Sequence, residues 1–116
     1  MINQEVRVSV KQTNANDFEK DVINNSNPVV LDFYSAECPP CEALAPKFES
    51  LEEQYRGKIE FIKIFRQENR ELAQKLGVTS SPTLLFFKNG KEVGQRLNGD
   101  IKKSEIKEII ENTLLN

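Results

Sequence analysis

Between positions 29 and 34 the chain reads Val-Val-Leu-Asp-Phe-Tyr, and four residues on come its only two cysteines, as Cys38-Pro39-Pro40-Cys41. The first run is dense in β-branched and aromatic residues with a single charge inside it, which predicts a buried strand. After the cysteine pair the period changes. Leu44, Phe48, Leu51 and Tyr55 recur at spacings of three and four, one face of a helix over residues 39–55. Pro46 lies inside that helix and is expected to kink it. A buried strand running through a cysteine pair into a helix is the start of a β-α-β unit, and few architectures accommodate one.

The remaining segments extend this alternation. Val6, Val8 and Val10 alternate with polar residues and predict an early strand. Asn14 and Asp17 signal the start of a short helix that turns Phe18, Val22 and Ile23 inward, and residues 24–28 read as a polar loop. Residues 59–65 predict a strand, with Ile59, Phe61 and Phe65 on one face and Ile62 and Ile64 on the other. A short helix over 68–76 is closed by Gly77. Residues 83–87 predict a strand, Asn89-Gly90 a hairpin turn, and 92–97 the returning strand. Ile106, Ile109, Ile110 and Leu114 mark one face of a last helix. The order is βαβαβαββα: an α/β chain with a central mixed sheet flanked by helices, parallel early and antiparallel at the final hairpin.

Composition narrows the chemistry. The 116 residues suit one domain, taken as residues 1–116, without repeat or linker. Sixteen basic residues against eighteen acidic ones leave a net charge of −2, so neither nucleic acid nor an anionic membrane surface is an expected partner. The longest strongly apolar run, Leu84 to Phe87, is far short of the roughly 20 residues of a membrane helix. Residues 1–10 contain no apolar block of the signal-peptide kind, and a cytoplasmic monomer is expected. Histidine is absent, which removes Ser-His-Asp and Cys-His catalysis and every His-ligated metal. What is left is carboxylates, lysine, tyrosine and two thiols. A four-residue disulfide loop contributes only about 2 kcal/mol as a staple. Two thiols are half of a tetrahedral zinc site, which a dimer would have to complete. Redox exchange is the reading preferred over a staple, a bridged metal or an idle pair, and neither cofactor nor metal is expected.

A C-x-x-C that follows a buried strand and opens a helix resembles the thioredoxin family. The similarity extends along the chain from about Val6 to Leu115. Val30 through Cys38 resembles the family's strand into its active site, Ala45-Pro46 its kinked helix, Gly77-Val78-Thr79-Ser80-Ser81-Pro82-Thr83 its cis-proline loop, and Phe87-Lys88-Asn89-Gly90 its final hairpin. The resemblance implies a thioredoxin fold and a redox disulfide, Cys38–Cys41, that reduces disulfides of client proteins. An electron donor of the thioredoxin-reductase type would regenerate it. Cys38 is expected at the exposed mouth as nucleophile, with its thiolate favoured by the helix N-terminus, and Cys41 one turn inward as the resolving thiol.

Other roles follow from the same resemblance. Asp32 corresponds to an aspartate that lies beneath the second cysteine and relays its proton. Its alternative is a carboxylate in water at a strand end. Lys63 matches a lysine that accompanies the aspartate, against the plainer reading of a solvated strand lysine. The Ser81–Pro82 bond is expected cis, leaving the backbone before it free to pair with an extended client. Pro39, Pro40, Ser81, Pro82, Tyr34 and Glu37 are the expected client-binding residues. The chain also departs from the family. Glu37 and Tyr34 replace tryptophans, Pro39 a glycine and Glu42 a lysine. Ser81 stands where an aliphatic residue is common, and Phe65-Arg66-Gln67 where acidic and aliphatic residues are. These departures admit a specialised protein with one partner system, or a binding module without catalysis, beside a general reductase. Glu37 and Glu42 form an acidic rim that either tunes Cys38 or only complements the helix dipole.

Overall fold

Alternate residues of the Val29–Tyr34 strand serve two different layers of helix. In the computed structural model, which describes residues 10–115, this strand (β2) has a neighbour on each edge. It pairs in parallel with β3, Glu60–Phe65, and antiparallel with β4, Thr83–Lys88. β1, Lys11–Thr13, lies parallel to β3 on the outside, and β5, Lys91–Glu92, closes the other edge against β4. The sheet order is β1-β3-β2-β4-β5, and β6, Leu97–Asn98, also pairs with β4. The helices are α1, Pro39–Gln54, α2, Arg70–Lys75, and α3, Lys103–Ile109, the last running on into a π-helical turn, Ile110–Leu114. This is the expected α/β architecture, the thioredoxin fold, with a mixed sheet between helices.

The period-two alternation of strands sorts the core. Val30, Phe61, Leu84 and Phe86 point to one face, where they meet Leu44, Phe48 and Leu51 of α1 and Ile106 and Ile110 of the last helix. Val29, Leu31, Phe33, Ile62, Ile64, Leu85 and Phe87 point to the other face and meet Val22, Ala73 and Val78. Asp32 has the parity of Val30, and Lys63 that of Phe61, so both lie on the α1 face. They are register partners on adjacent strands. This parity places a carboxyl beneath the start of α1.

Several boundaries differ from those expected. The strand over Val6, Val8 and Val10 lies, apart from Val10, outside the described residues. The first helix is a π-helical turn, Glu19–Ile23, entered through the Asn14–Asp17 turn: the Asp17 N–H donates to Asn14 Oδ1 at 2.9 Å. It is pinned to β1 by Asp21, which accepts from Thr13 Oγ1 at 2.7 Å and Lys11 Nζ at 3.1 Å. Burial alone would raise the Asp21 pKa, but these two donors hold it below the ordinary value. The helix expected over 68–76 begins only at Arg70, after a 3₁₀ turn at Arg66–Glu68. Asn69 is occupied elsewhere: its Oδ1 accepts from the Ala15 N–H and its Nδ2 donates to the Phe65 carbonyl, each at 2.8 Å. The returning strand over 92–97 is broken into β5 and β6. Arg96 leaves the ladder to donate to the Leu76 carbonyl at 2.6 Å and the Gly77 carbonyl at 3.3 Å, closing the end of α2.

The hairpin between β4 and β5 turns on two residues, Asn89 at φ 54° and Gly90 at φ 78°, the left-handed pair that such a turn requires. A Cβ on Gly90 would stand 2.9 Å from the Ile23 carbonyl oxygen, whereas one on Gly57, at φ 87°, would meet nothing within 4 Å. Both glycine-to-alanine changes bring left-handed strain of about 1–2 kcal/mol, but only Gly90→Ala adds a backbone clash. Gly90→Ala is therefore expected to lower stability by at least about 1 kcal/mol more than Gly57→Ala. Urea midpoints of the two variants measure this, and equal losses would show that the Ile23 contact is inconsequential.

Candidate active site

The cysteine pair sits where β2 ends and α1 begins. Cys38 is the N-cap, extended at φ −132°, and Pro39 and Pro40 fill the first helical positions, where a fixed φ suits and no N–H is needed. Because neither proline carries an N–H, the first turn has few free donors. The Cys41 N–H is the one aimed at the Cys38 sulfur, at 3.3 Å, while the Glu42 N–H donates to the Cys38 carbonyl at 3.0 Å. Cys38 and Cys41 are joined as a disulfide with their Cα atoms 5.2 Å apart. The expected contrast between an exposed Cys38 and an inner Cys41 is not seen in their coverage, which is 9% and 8% exposed. Their surroundings differ instead. Cys38 Sγ lies 3.6 Å from the Ser81 carbonyl oxygen, and Cys41, unlike Cys38, lines a cavity.

That cavity, about 290 Å³, is lined by Asp32, Lys63, Tyr34, Cys41, Glu37 and Phe48 among others. Asp32 is 6% exposed, and its Oδ1 has no hydrogen-bond partner among the described residues. Desolvation dominates its titration: burial pushes the carboxyl up to about 7, against a smaller opposing pull from the Lys63 ammonium. Lys63 forms no salt bridge to it. The Lys63 ammonium lies 5.4 Å from the centre of the Tyr34 ring, which leans on Phe65 at 5.3 Å. The Tyr34 hydroxyl donates to Gln12 at 2.9 Å, so this β2 tyrosine, which lines the cavity, is tied past β3 to β1. Asp32, Lys63, Tyr34, Glu37, Cys41 and Glu42 are thus brought to one cavity, whereas Pro39 and Pro40 are exposed and do not line it. Glu37 holds a left-handed φ of 52°, a costly conformation for a residue with a side chain.

The Ser81–Pro82 peptide bond is cis, with Pro82 buried and Ser81 half-exposed against the disulfide. Two side chains without an expected role meet here. Arg66 Nε donates to Ser81 Oγ at 2.8 Å, and Ser81 Oγ shares a 2.5 Å hydrogen bond with Ser35 Oγ. Gln67 Oε1 accepts from the Ala36 N–H at 2.8 Å. The 3₁₀ turn after β3 therefore clamps both loops that flank the cysteines. The sequence marks Arg66 and Gln67 only as departures from the family pattern, and it is the β2–β3 register that carries them beside Ser35 and Ala36.

Comparison with known proteins agrees with this geometry. The family profile described as Thioredoxin matches residues 9–112. Thioredoxin 1 of Nostoc sp. is 34% identical over 97 residues, covering 84% of this chain and 90% of the relative. Thioredoxin of Porphyra purpurea is 35% identical over 99 residues, 85% and 92% of the two chains. Thioredoxin of Haemophilus influenzae is 35% identical over 101 residues, 87% and 94%.

The Asp32 carboxyl makes stability depend on pH. Its folded pKa of about 7 lies above the ordinary 3.8, so the folded state holds the proton more tightly. That stabilisation is complete below pH 3.8 and is lost as pH rises through 7. Asp32→Asn removes the loss. The variant is expected to be more stable than the parent at pH 8, by up to about 4 kcal/mol, with the gap closing toward pH 4. Urea denaturation at several pH values checks this. A variant no more stable at pH 8 would mean the carboxylate is hydrated in place.

Proposed function

The chain belongs to the thioredoxin family, and from that membership we propose how its residues divide the work of a protein-disulfide reductase. It is a thiol–disulfide oxidoreductase, acting on disulfides of client proteins and recharged by a reductase. The observation that carries the reading is the joined Cys38–Cys41 pair at the mouth of α1, with the buried Asp32 carboxyl in the cavity that Cys41 lines.

In the reduced protein the Cys38 thiolate attacks one sulfur of a client disulfide. The client S–S bond breaks, its departing thiolate takes a proton from water, and Cys38 holds the mixed disulfide. Cys41 passes its proton to the Asp32 carboxylate and attacks Cys38 Sγ. The second client thiolate leaves and is protonated, and the Cys38–Cys41 bond closes. Two electrons have then passed from the Cys-Pro-Pro-Cys dithiol to the client, and a thioredoxin-reductase-type donor returns two electrons and two protons. A carboxyl titrating near neutrality suits the relay, since it accepts and releases a proton in the same working range. Lys63 is assigned the weaker part of holding the Asp32 pKa from rising further. Extended client backbone is assigned to Ser81 beside Pro82, with Tyr34, Glu37, Pro39 and Pro40 forming the rim.

We take the working unit to be a monomeric single domain of residues 1–116 in the cytoplasm. Among the described residues no helix is long and apolar enough to cross a membrane. The polar Arg66–Ser81–Ser35 chain, with Ser81 where an aliphatic residue is common in the family, favours a restricted client set over a general one.

Reduction of insulin disulfides with dithiothreitol as electron source is the direct test. Cys38→Ser is expected to abolish it. Cys41→Ser is expected to attack but not resolve, and to accumulate mixed disulfides visible on a non-reducing gel. Equal trapping by both variants would reverse or dissolve the assignment of nucleophile and resolving thiol.

A further inference from the structure

We propose that Arg66 is a specificity-determining residue for client binding, its guanidinium receiving a carboxylate carried beside the client's reactive cysteine. This rests on the thiol-exchange reading above and names the kind of client that the site prefers.

Ser81 connects the cation to the chemistry. Its carbonyl oxygen lies 3.6 Å from Cys38 Sγ, and its hydroxyl accepts from Arg66 Nε at 2.8 Å. An extended client segment that pairs with the Ser81 backbone therefore passes the sulfur and the guanidinium together. Arginine has five N–H donors in a rigid fork, and the Ser81 bond uses only Nε. The terminal nitrogens have the geometry that matches a carboxylate in two bonds. Arg66 is half-buried, and no carboxylate among the described residues forms an ion pair with it. Arg56 and Arg96, by contrast, are each forked onto a glutamate of their own, Glu52 and Glu92. Arg66 thus stands at the client groove as a partly desolvated cation held in place and lacking an anion.

The acidic side chains of the rim lie elsewhere. Glu37, Glu42 and Glu49 line the Asp32 cavity, which Arg66 does not line. Arg66 is bonded to Ser81 beside Cys38, so a client is sorted by the sign of the residue it lays there. An aliphatic residue in place of Arg66 would make no such distinction, and the preference is a property of this chain.

The test uses the full-length protein and a matched set of peptide disulfides carrying Glu, Gln or Lys next to the reactive cysteine. The readout is the ratio of kcat/KM between the Glu and Gln peptides on the same enzyme, so that a general loss of activity cancels. The unmodified protein is expected to favour Glu over Gln by roughly three- to tenfold and to disfavour Lys. The preference is expected to shrink in about 0.5 M salt, where the Debye length falls to a few ångströms. Arg66→Gln is expected to bring the ratio to about one, whereas Arg66→Lys, which keeps the charge, retains a preference. A ratio near one in the unmodified protein overturns the proposal, as does a preference that survives Arg66→Gln or vanishes equally in Arg66→Lys. Reduction of a small aromatic disulfide by the unmodified protein is followed in parallel. Its absence defeats the thiol-exchange reading itself, and its presence with no charge preference defeats only the role of Arg66.

Discussion

An uncompensated carboxyl inside a fully covered strand is the constraint around which the site is arranged. β2 is hydrogen-bonded along both edges and covered by helices on both faces, so its side chains have no route to water except at its ends. Five of its six residues meet that condition by being apolar or aromatic. Asp32 meets it by remaining largely protonated up to about neutral pH and by facing a cavity in place of packed side chains. A well-packed aliphatic residue there would make a more stable sheet. The protein keeps instead a group whose ionisation is set by burial, in the cavity that Cys41 lines.

The remaining polar side chains near the site are used differently. Asn69, Gln67, Arg66 and Arg96 all bond to loops far away in sequence, and most of their partners are backbone groups. Loops cannot be held by apolar burial without stranding their amides, so side-chain amides and guanidinium groups hold them. The result is two rigid loops against one disulfide: residues 35–37 tied through Ala36 and Ser35, and residues 80–82 tied through Ser81. Rigid placement of the backbone lowers the ordering cost of docking an extended segment.

Much of this was legible in the amino-acid order. The β2 run, the α1 stripe of Leu44, Phe48, Leu51 and Tyr55, and the Asn89-Gly90 turn follow local rules of period and propensity, and the structure matches them closely. The errors fall where a side chain serves a distant partner. Asn69 delays α2 because it holds Ala15, and Arg96 splits the returning strand because it caps α2. No local pattern announces either bond. The same holds at the site. Cys38, Cys41 and Pro82 are found from spacing and resemblance, whereas Arg66 and Gln67 acquire meaning only when parallel pairing of β2 with β3 carries them beside Ser35 and Ala36. The near-equal coverage of the two cysteines was also beyond sequence, since it depends on how closely the Ser81 carbonyl approaches Cys38.

The broken return of the hairpin has a consequence for self-association. A long flat sheet edge is a template that would recruit other strands or a second copy of the chain. On the β4 side that edge is reduced to β5 and β6, two residues each, with residues 94–96 off the ladder where Arg96 reaches the Leu76 carbonyl. It offers no continuous row of unpaired amides and carbonyls for a cross-β stack to grow on. Under the proposed reading, capture of a strand is left to the short backbone stretch at Ser81, beside the disulfide.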